Sequence, residues 1–355
     1  MTTQTASAAS PASFATASRL AAARAGDQHE FSNLVEPSRR ELQVHCYRML
    51  GSLFEAEDAV QETFLRAWRR LDTFQRDVSF RAWLYKIATN VCLDMLDKRR
   101  ARRRLPVGGS APSDPLLPMP APLTEPVWLE PVPDDWLAGV EQSSNPEARQ
   151  AARDNIRLAF VAALQRLPPR QRAVLILRDV LDWSASEAAE LFGLTPSAVT
   201  SALHRARVKL AQNEVAGMGS AAPAPLDPLR RQLLARYVTA WESADVAGLV
   251  QLLKEEATFS MPPWSVWYQG REAIRQFFLA DVFSDATPGQ ARLLPVHANG
   301  GPGFGLYHAQ PGGSVYRGFA IQALRVDART GQIADIVNFI NPALFAAFGL
   351  PAEIS

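Results

Sequence analysis

Residues 53–104, LFEAEDAVQETFLRAWRRLDTFQRDVSFRAWLYKIATNVCLDMLDKRRARRR, constrain the fold most tightly. Ser52 and Glu55 have the S-x-x-E spacing of a capping box, so a helix is predicted to begin here. Val60, Phe64, Trp68 and Leu71 then recur at helical spacing as one apolar stripe. A second helix starts near Ser79, with Phe80, Trp83, Ile87, Val91 and Met95 as its stripe. Its opposite face shows Arg81, Lys86, Asn90 and Asp94 and runs into six cations within seven residues: Lys98, Arg99, Arg100, Arg102, Arg103 and Arg104. An amphipathic hairpin accounts for the stripes without any function. Taken alone, the cationic run reads as a solvated helix end suited to the negative pole of a helix dipole.

At 355 residues the chain can hold two or three domains, each with its own core. Its 37 Lys and Arg nearly balance 36 Asp and Glu, so net charge says little about partners, and the local clusters say more. Cys46 and Cys92 form no metal-ligand spacing and are expected to be reduced and buried, as in a cytoplasmic protein. His29, His45, His204, His297 and His308 are scattered and form no ligand pair, so no metal or cofactor is expected. No apolar run approaches the ~20 residues of a membrane helix. The Ala/Ser/Thr-rich residues 1–26 faintly resemble a transit peptide but read as a disordered tail.

Residues 27–104 form an all-helical first domain, with Leu42, His45, Cys46, Met49 and Leu50 as a packing face and Gly51 ending a helix. Residues 105–148 form a linker. From 106 to 148 it carries ten prolines, seven acids and no Lys or Arg. Its middle, EPVWLEPVPDDWL, fits either a solvated spacer or a segment that docks into a basic groove.

Residues 149–212 are helical again. LPPRQRAVLILRDV opens with Pro in its first turn, and Ser184 and Glu187 make a second capping box. Gly193 turns the chain, and Thr195 with Pro196 starts TPSAVTSALHRARVKL. A short helix, a Gly-containing turn and a cation-bearing helix read as a helix-turn-helix. Its second helix offers Ser197, Thr200, Ser201, His204 and Arg205 toward a groove, with Arg207 and Lys209 suited to phosphates. A second linker, 213–228, precedes residues 229–350. There, alternating helical and strand-like stretches predict an α+β cone, a curved antiparallel sheet around helices.

DAVQETFLRAWRRLDTF with SFRAWLYKIATNVCLDMLDKRR closely resembles region 2 of the extracytoplasmic-function (ECF) sigma factors of bacteria. LPPRQRAVLILRDVLDWSASEAAELFGLTPSAVTSALHRARVKL resembles their region 4, and the third domain resembles the SnoaL-like cone appended to some of them. The resemblance implies a multidomain protein, two all-α domains followed by the cone, that brings core RNA polymerase to promoters. It implies that Asp58, Gln61, Glu62, Leu65 and Arg66 face the polymerase, through its beta and beta-prime subunits. It further implies that Phe74, Arg81, Lys86 and Asn90 open and read the −10 element of promoter DNA, that Lys98, Arg99 and Arg100 hold phosphates, and that the helix 196–210 reads the −35 element. The acidic linker resembles the connector that threads the polymerase's positively charged channels. Many relatives carry V-K-S-R-x-x-R-A-R where this chain has V-T-S-A-L-H-R-A-R, so Thr200 and Ala202 replace two basic positions and the −35 preference does not transfer.

Related cones include isomerases, cyclases and dehydratases. Candidate ligand-cavity residues are Trp264, Trp267, Tyr268, His297, Tyr307, His308, Tyr316 and Asn338, and a catalytic pair would require His297 to meet Asp335. The reading adopted is a non-enzymatic initiation factor with a regulatory third domain. Its rivals are a helix-turn-helix regulator acting without polymerase, and a cone enzyme or ligand sensor with DNA-binding appendages. The sequence leaves the promoter, the inducing signal, any ligand and any separate anti-sigma partner open.

Overall fold

Local caps set the helix boundaries in the first half of the chain. The structure is a computed structural model that describes residues 11–75, 79–98, 111–123, 128–136, 157–214, 228–284, 288–310 and 314–355. Asp27 accepts from His29 N and Glu30 N to start α2, Gln28–Val35. Helix α3, Arg39–Leu50, stops at Gly51, whose φ of 70° is open to glycine at little cost. Ser52 accepts from Glu55 N and starts α4, Leu53–Arg69. Helix α5, Phe80–Lys98, follows. Ahead of them, residues 1–10 of the expected disordered tail lie outside the described residues, whereas Pro11–Arg24 form helix α1, whose Leu20 and Ala23 are buried in the helical core.

The second helical unit comprises α6, Leu158–Gln165, and α7, Pro169–Leu175, which continues through a π turn to Val180. The predicted capping box at Ser184 and Glu187 is complete and opens α8, Ala185–Phe192. Thr195 accepts from Ala198 N at the start of α9, Pro196–Glu214. The two helical units do not have separate cores. Leu42, Val60 and Val91 belong to the same buried cluster as Val161, Leu164, Ile176 and Leu203.

In the third domain, α10 (Pro228–Glu242), α11 (Val246–Leu252) and α12 (Arg271–Phe277) line one face of a seven-stranded sheet. Its strands are β1 Leu253–Ser260, β2 Trp267–Gln269, β3 Ala291–Ala298, β4 Gly301–Ala309, β5 Tyr316–Val326, β6 Ile333–Phe339 and β7 Glu353–Ile354. The order is β2-β1-β6-β5-β4-β3, with β7 paired to β5. The sheet is not wholly antiparallel as expected, because β1 runs parallel to β6. The inner face packs Phe304, Leu306, Ala320, Leu324 and Ile336 on Tyr237, Trp241 and Phe277. The outer face packs Tyr307, Ile321, Val337 and Phe339 with Leu344 and Phe345 of α13, Leu344–Ala347. Phe54 of α4 and Leu158 of α6 pack against this outer cluster, so the sheet is seated on both helical units.

Candidate functional site

Helix α4 presents the expected polymerase-facing residues on one side. Asp58, Gln61 and Leu65 are exposed, Leu65 to 52%. Arg66 is held between Glu62 and Asp94, 2.6 Å from each carboxylate. Beside them α2, α4 and the start of α3 form a groove of about 480 Å³ lined by Phe31, Phe64, Leu65 and Trp68, with Gln28, Gln61 and Arg39 of α3 completing it. An exposed leucine beside an aromatic groove with polar edges has the make-up of a protein-docking patch.

The expected −10 residues divide. Phe74 does not face solvent: it is 7% exposed, and its ring lies 5.3 Å from both Phe80 and Trp83. Arg81 is tied to Glu41 at 2.6 Å and lies over the Tyr85 ring. Lys86 is 3.5 Å from Glu190 of α8. Asn90 and Lys98 are exposed on the helix surface. Arg99 and Arg100 lie outside the described residues, as do Arg102, Arg103 and Arg104. Most of the 213–228 linker also lies outside them.

In the helix-turn-helix, Gly193 takes the left-handed turn at φ 63° and buried Val199, Leu203 and Ala206 fix α9 in the core. That leaves Ser197, Thr200, Ser201, His204 and Arg205 exposed on one face, at the i, i+3, i+4, i+7 and i+8 positions. Arg207, expected on phosphate, instead forms a two-pronged pair with Asp179 at 2.9 and 2.7 Å, which ties α9 to the end of the π turn.

The linker is neither a solvated spacer nor an occupant of a basic groove over residues 128–136. Leu129, Val132 and Trp136 are buried in the helical core. The Glu130 carboxylate accepts from Ser52 Oγ at 2.5 Å and Leu53 N at 3.0 Å, so a linker acid caps the positive N-terminus of α4. Glu130 N donates to Gly51 O and its carbonyl accepts from Tyr47 Oη. On the other side, Val132 N donates to Asn299 Oδ1, Asn299 N donates to Val132 O, and Gly300 N donates to Asp134 Oδ1. Asn299 and Gly300 form the turn between β3 and β4, both with positive φ. Upstream, Ser113 N donates to Trp267 O on edge strand β2, and Leu123 N donates to Pro263 O.

Comparison with known proteins shows the family. Residues 34–102 match Sigma-70 region 2, residues 157–210 match Sigma-70 region 4, and residues 234–336 match the SnoaL-like domain. The ECF RNA polymerase sigma factor SigG of Mycobacterium tuberculosis is 43% identical over 326 residues, 92% of this chain and 85% of that protein. The chain belongs to the ECF RNA polymerase sigma factors. SigJ of the same organism is 27% identical over 319 residues, 87% of this chain and 91% of its own. A crystal structure of SigJ shares the fold, with a TM-score of 0.56 at 24% identity, covering 88% of this chain and 97% of that one.

As a sigma factor the chain directs RNA polymerase to promoters. The third domain of this sigma factor does not gather the expected cavity residues. Asn338 points to the inner face opposite Gln322, and Trp264 and Tyr268 also belong to that side. Tyr307 and Tyr316 belong to the outer cluster, their hydroxyls donating to Pro351 O and Gly289 O. Trp267 is buried on β2 against the Ser113 segment. His297 is exposed on edge strand β3, and His308 stacks on Phe319. The pair that a cone enzyme would require does not form: His297 is on edge strand β3, while Asp335 on β6 is bound by Arg325 and accepts from Thr258 Oγ1. Sequence reasoning missed the roles of Glu130, Asn299 and Arg172. Arg172, 4% exposed, donates from Nε to Leu164 O at 2.8 Å and from Nη1 to Met49 O in the first helical unit. No metal-ligating cluster and no helix able to cross a membrane occurs among the described residues.

Proposed function

We propose that the SnoaL-like domain regulates this sigma factor by clasping the linker and holding its two helical units together, and that polymerase binding requires their release. The supporting observation is the position of Lys86 on the −10-reading helix, 3.5 Å from Glu190 of the helix-turn-helix. By their positions, the −10 and −35 elements are centred roughly 85 Å apart along the duplex, at 3.4 Å per base pair. Two units in contact cannot reach both, so this arrangement is an inactive one. The relative strength of the contacts supports the linker as the latch. An exposed ion pair such as Lys86–Glu190 is worth about 0–1 kcal/mol, whereas each fully buried side chain among Leu129, Val132 and Trp136 contributes about 1.5–3 kcal/mol.

In the released state, Asp58, Gln61, Glu62, Leu65 and Arg66 meet the beta-prime clamp, and the linker enters the channel bounded by beta and beta-prime. Promoter DNA is then read by α5 with its aromatic cluster and by Ser197, Thr200, Ser201, His204 and Arg205. The work is cytoplasmic, with the polymerase, and the chain performs no chemistry of its own. Run-off transcription with bacterial core polymerase tests this reading. The full chain and a chain ending near Pro225 both initiate at the same promoters, with the shorter chain giving more transcript. Equal transcript from both would contradict the regulatory role, and no promoter-specific transcript from either would contradict the promoter assignment.

A further inference from the structure

Helix α1 lies wholly outside the stretch that matches Sigma-70 region 2, which begins at residue 34. It is nevertheless built into the helical core through Leu20 and Ala23, 4% and 2% exposed, and Arg19 is 3.7 Å from Glu30 of α2. Its last residue, Arg24, reaches across nearly fifty residues of sequence. Arg24 Nη2 donates to Phe74 O at 2.6 Å, and Nε donates to Leu71 O at 3.4 Å. These two carbonyls bracket the 3-10 turn Leu71–Thr73, which carries the chain from the polymerase-facing helix α4 toward the DNA-reading helix α5. Leu71 O already accepts from Phe74 N within the turn, and a planar guanidinium can bind this carbonyl and Phe74 O together in fixed relative positions. Phe74 is extended at φ −70° and ψ 120°, and its ring is seated on Phe80 and Trp83.

We propose that α1 is a positioning element for −10 recognition, and that Arg24 is the positioning residue that fixes the Phe74 backbone and the aromatic cluster it anchors. The proposal rests on the assignment of Phe74 and α5 to the −10 element. Pre-setting this backbone lets the aromatic cluster present itself to unpaired bases in one geometry, so the effect falls on base discrimination rather than on docking to polymerase. The groove beside Leu65 is formed by α2, α4 and Arg39 of α3, and among the described residues its lining includes none from α1.

The test uses the full chain with core polymerase, on a promoter set carrying single substitutions in the −10 element. Arg24→Ala is expected to reduce the ratio of transcript from cognate over substituted promoters on the order of tenfold, the loss of a charge-assisted hydrogen-bond pair, with affinity for core polymerase unchanged. Arg24→Lys restores part of that ratio, because an ammonium can reach one carbonyl but not both with a fork. Unchanged discrimination in Arg24→Ala overturns the proposal. So does a loss that appears equally in core affinity and in melting temperature, which marks general destabilisation. Phe74→Ala separates the two layers. If it abolishes discrimination while Arg24→Ala does not, only the Arg24 proposal fails. If neither changes discrimination, the −10 assignment fails with it.

Discussion

Asn299, in the turn between β3 and β4, donates from Nδ2 to the Tyr47 hydroxyl of α3, 2.9 Å away and 252 residues distant in sequence. The same amide accepts from Val132 N, so one side chain joins the cone, the linker and the first helical unit. Asn299→Ala leaves Val132 N unsatisfied in a buried seam and is expected to weaken the closed arrangement by about 1–3 kcal/mol. Limited proteolysis of the linker checks this: cleavage within 111–136 accelerates in the variant while the helical units stay folded.

The guanidinium of Arg172 is the corresponding tie between the helical units. Besides Leu164 O and Met49 O it binds Gln165 O at 3.1 Å and Leu167 O at 3.2 Å. Arg172→Met strands several carbonyls in a dry core, and a loss of about 3 kcal/mol or more is expected in urea unfolding. Arg172→Lys recovers little, since a point ammonium cannot satisfy acceptors spread around a planar fork.

DNA binding by α9 should discriminate between two arginines two residues apart. Arg205 is exposed on the same face as Ser201 and His204, whereas both prongs of Arg207 are engaged by Asp179. Arg205→Ala is expected to lower affinity for −35 DNA and reduce the salt slope by about one unit. Arg207→Ala changes the slope by less, and shows instead as a small loss of helix-turn-helix stability. Fluorescence anisotropy over a salt series separates the two.

His45 makes stability depend on pH. Its ring is fully buried, and desolvation, with the neighbouring Arg48 charge, holds its pKa down to about 3 from 6.5. Thr89 Oγ1 gives its hydrogen to Tyr85 O, so His45 Nε2 is the donor toward Thr89 and Nδ1 faces the core without a partner. The folded state therefore excludes a proton that the unfolded chain takes up below pH 6.5. The stabilisation is full above that pH and declines as pH falls toward about 3, by about 1.4 kcal/mol per pH unit. Guanidinium unfolding at pH 7 and pH 5 measures this slope, and His45→Gln removes its share.

What the sequence made legible was local. The capping at Ser52, Ser184 and Thr195, the stops at Gly51 and Gly193 and the apolar stripes each depend on residues within one or two turns, and all appear where expected. Glu130 was hidden because its partners, Ser52 and Leu53, lie 78 and 77 residues away and an acid in a proline-rich stretch carries no sign of its target. Arg207 was read as a phosphate contact from its helix alone, and only the fold brings Asp179 beside it. The cone cavity failed for another reason. Strand parity would place Tyr316 with Gln322, but Phe319 is an extra residue between the Tyr307–Gly318 and Leu306–Ala320 pairs. That bulge turns Tyr316 to the outer face.

A distance between the two helical units tests the central claim most directly. Spin labels on cysteines introduced at the exposed positions Arg69 and Lys209 report it, because native Cys46 and Cys92 are buried. The free chain is predicted to give one short, narrow distance, which lengthens by tens of ångströms when core polymerase and promoter DNA are added. An unchanged distance in a complex that initiates transcription would contradict the clasped, inactive arrangement.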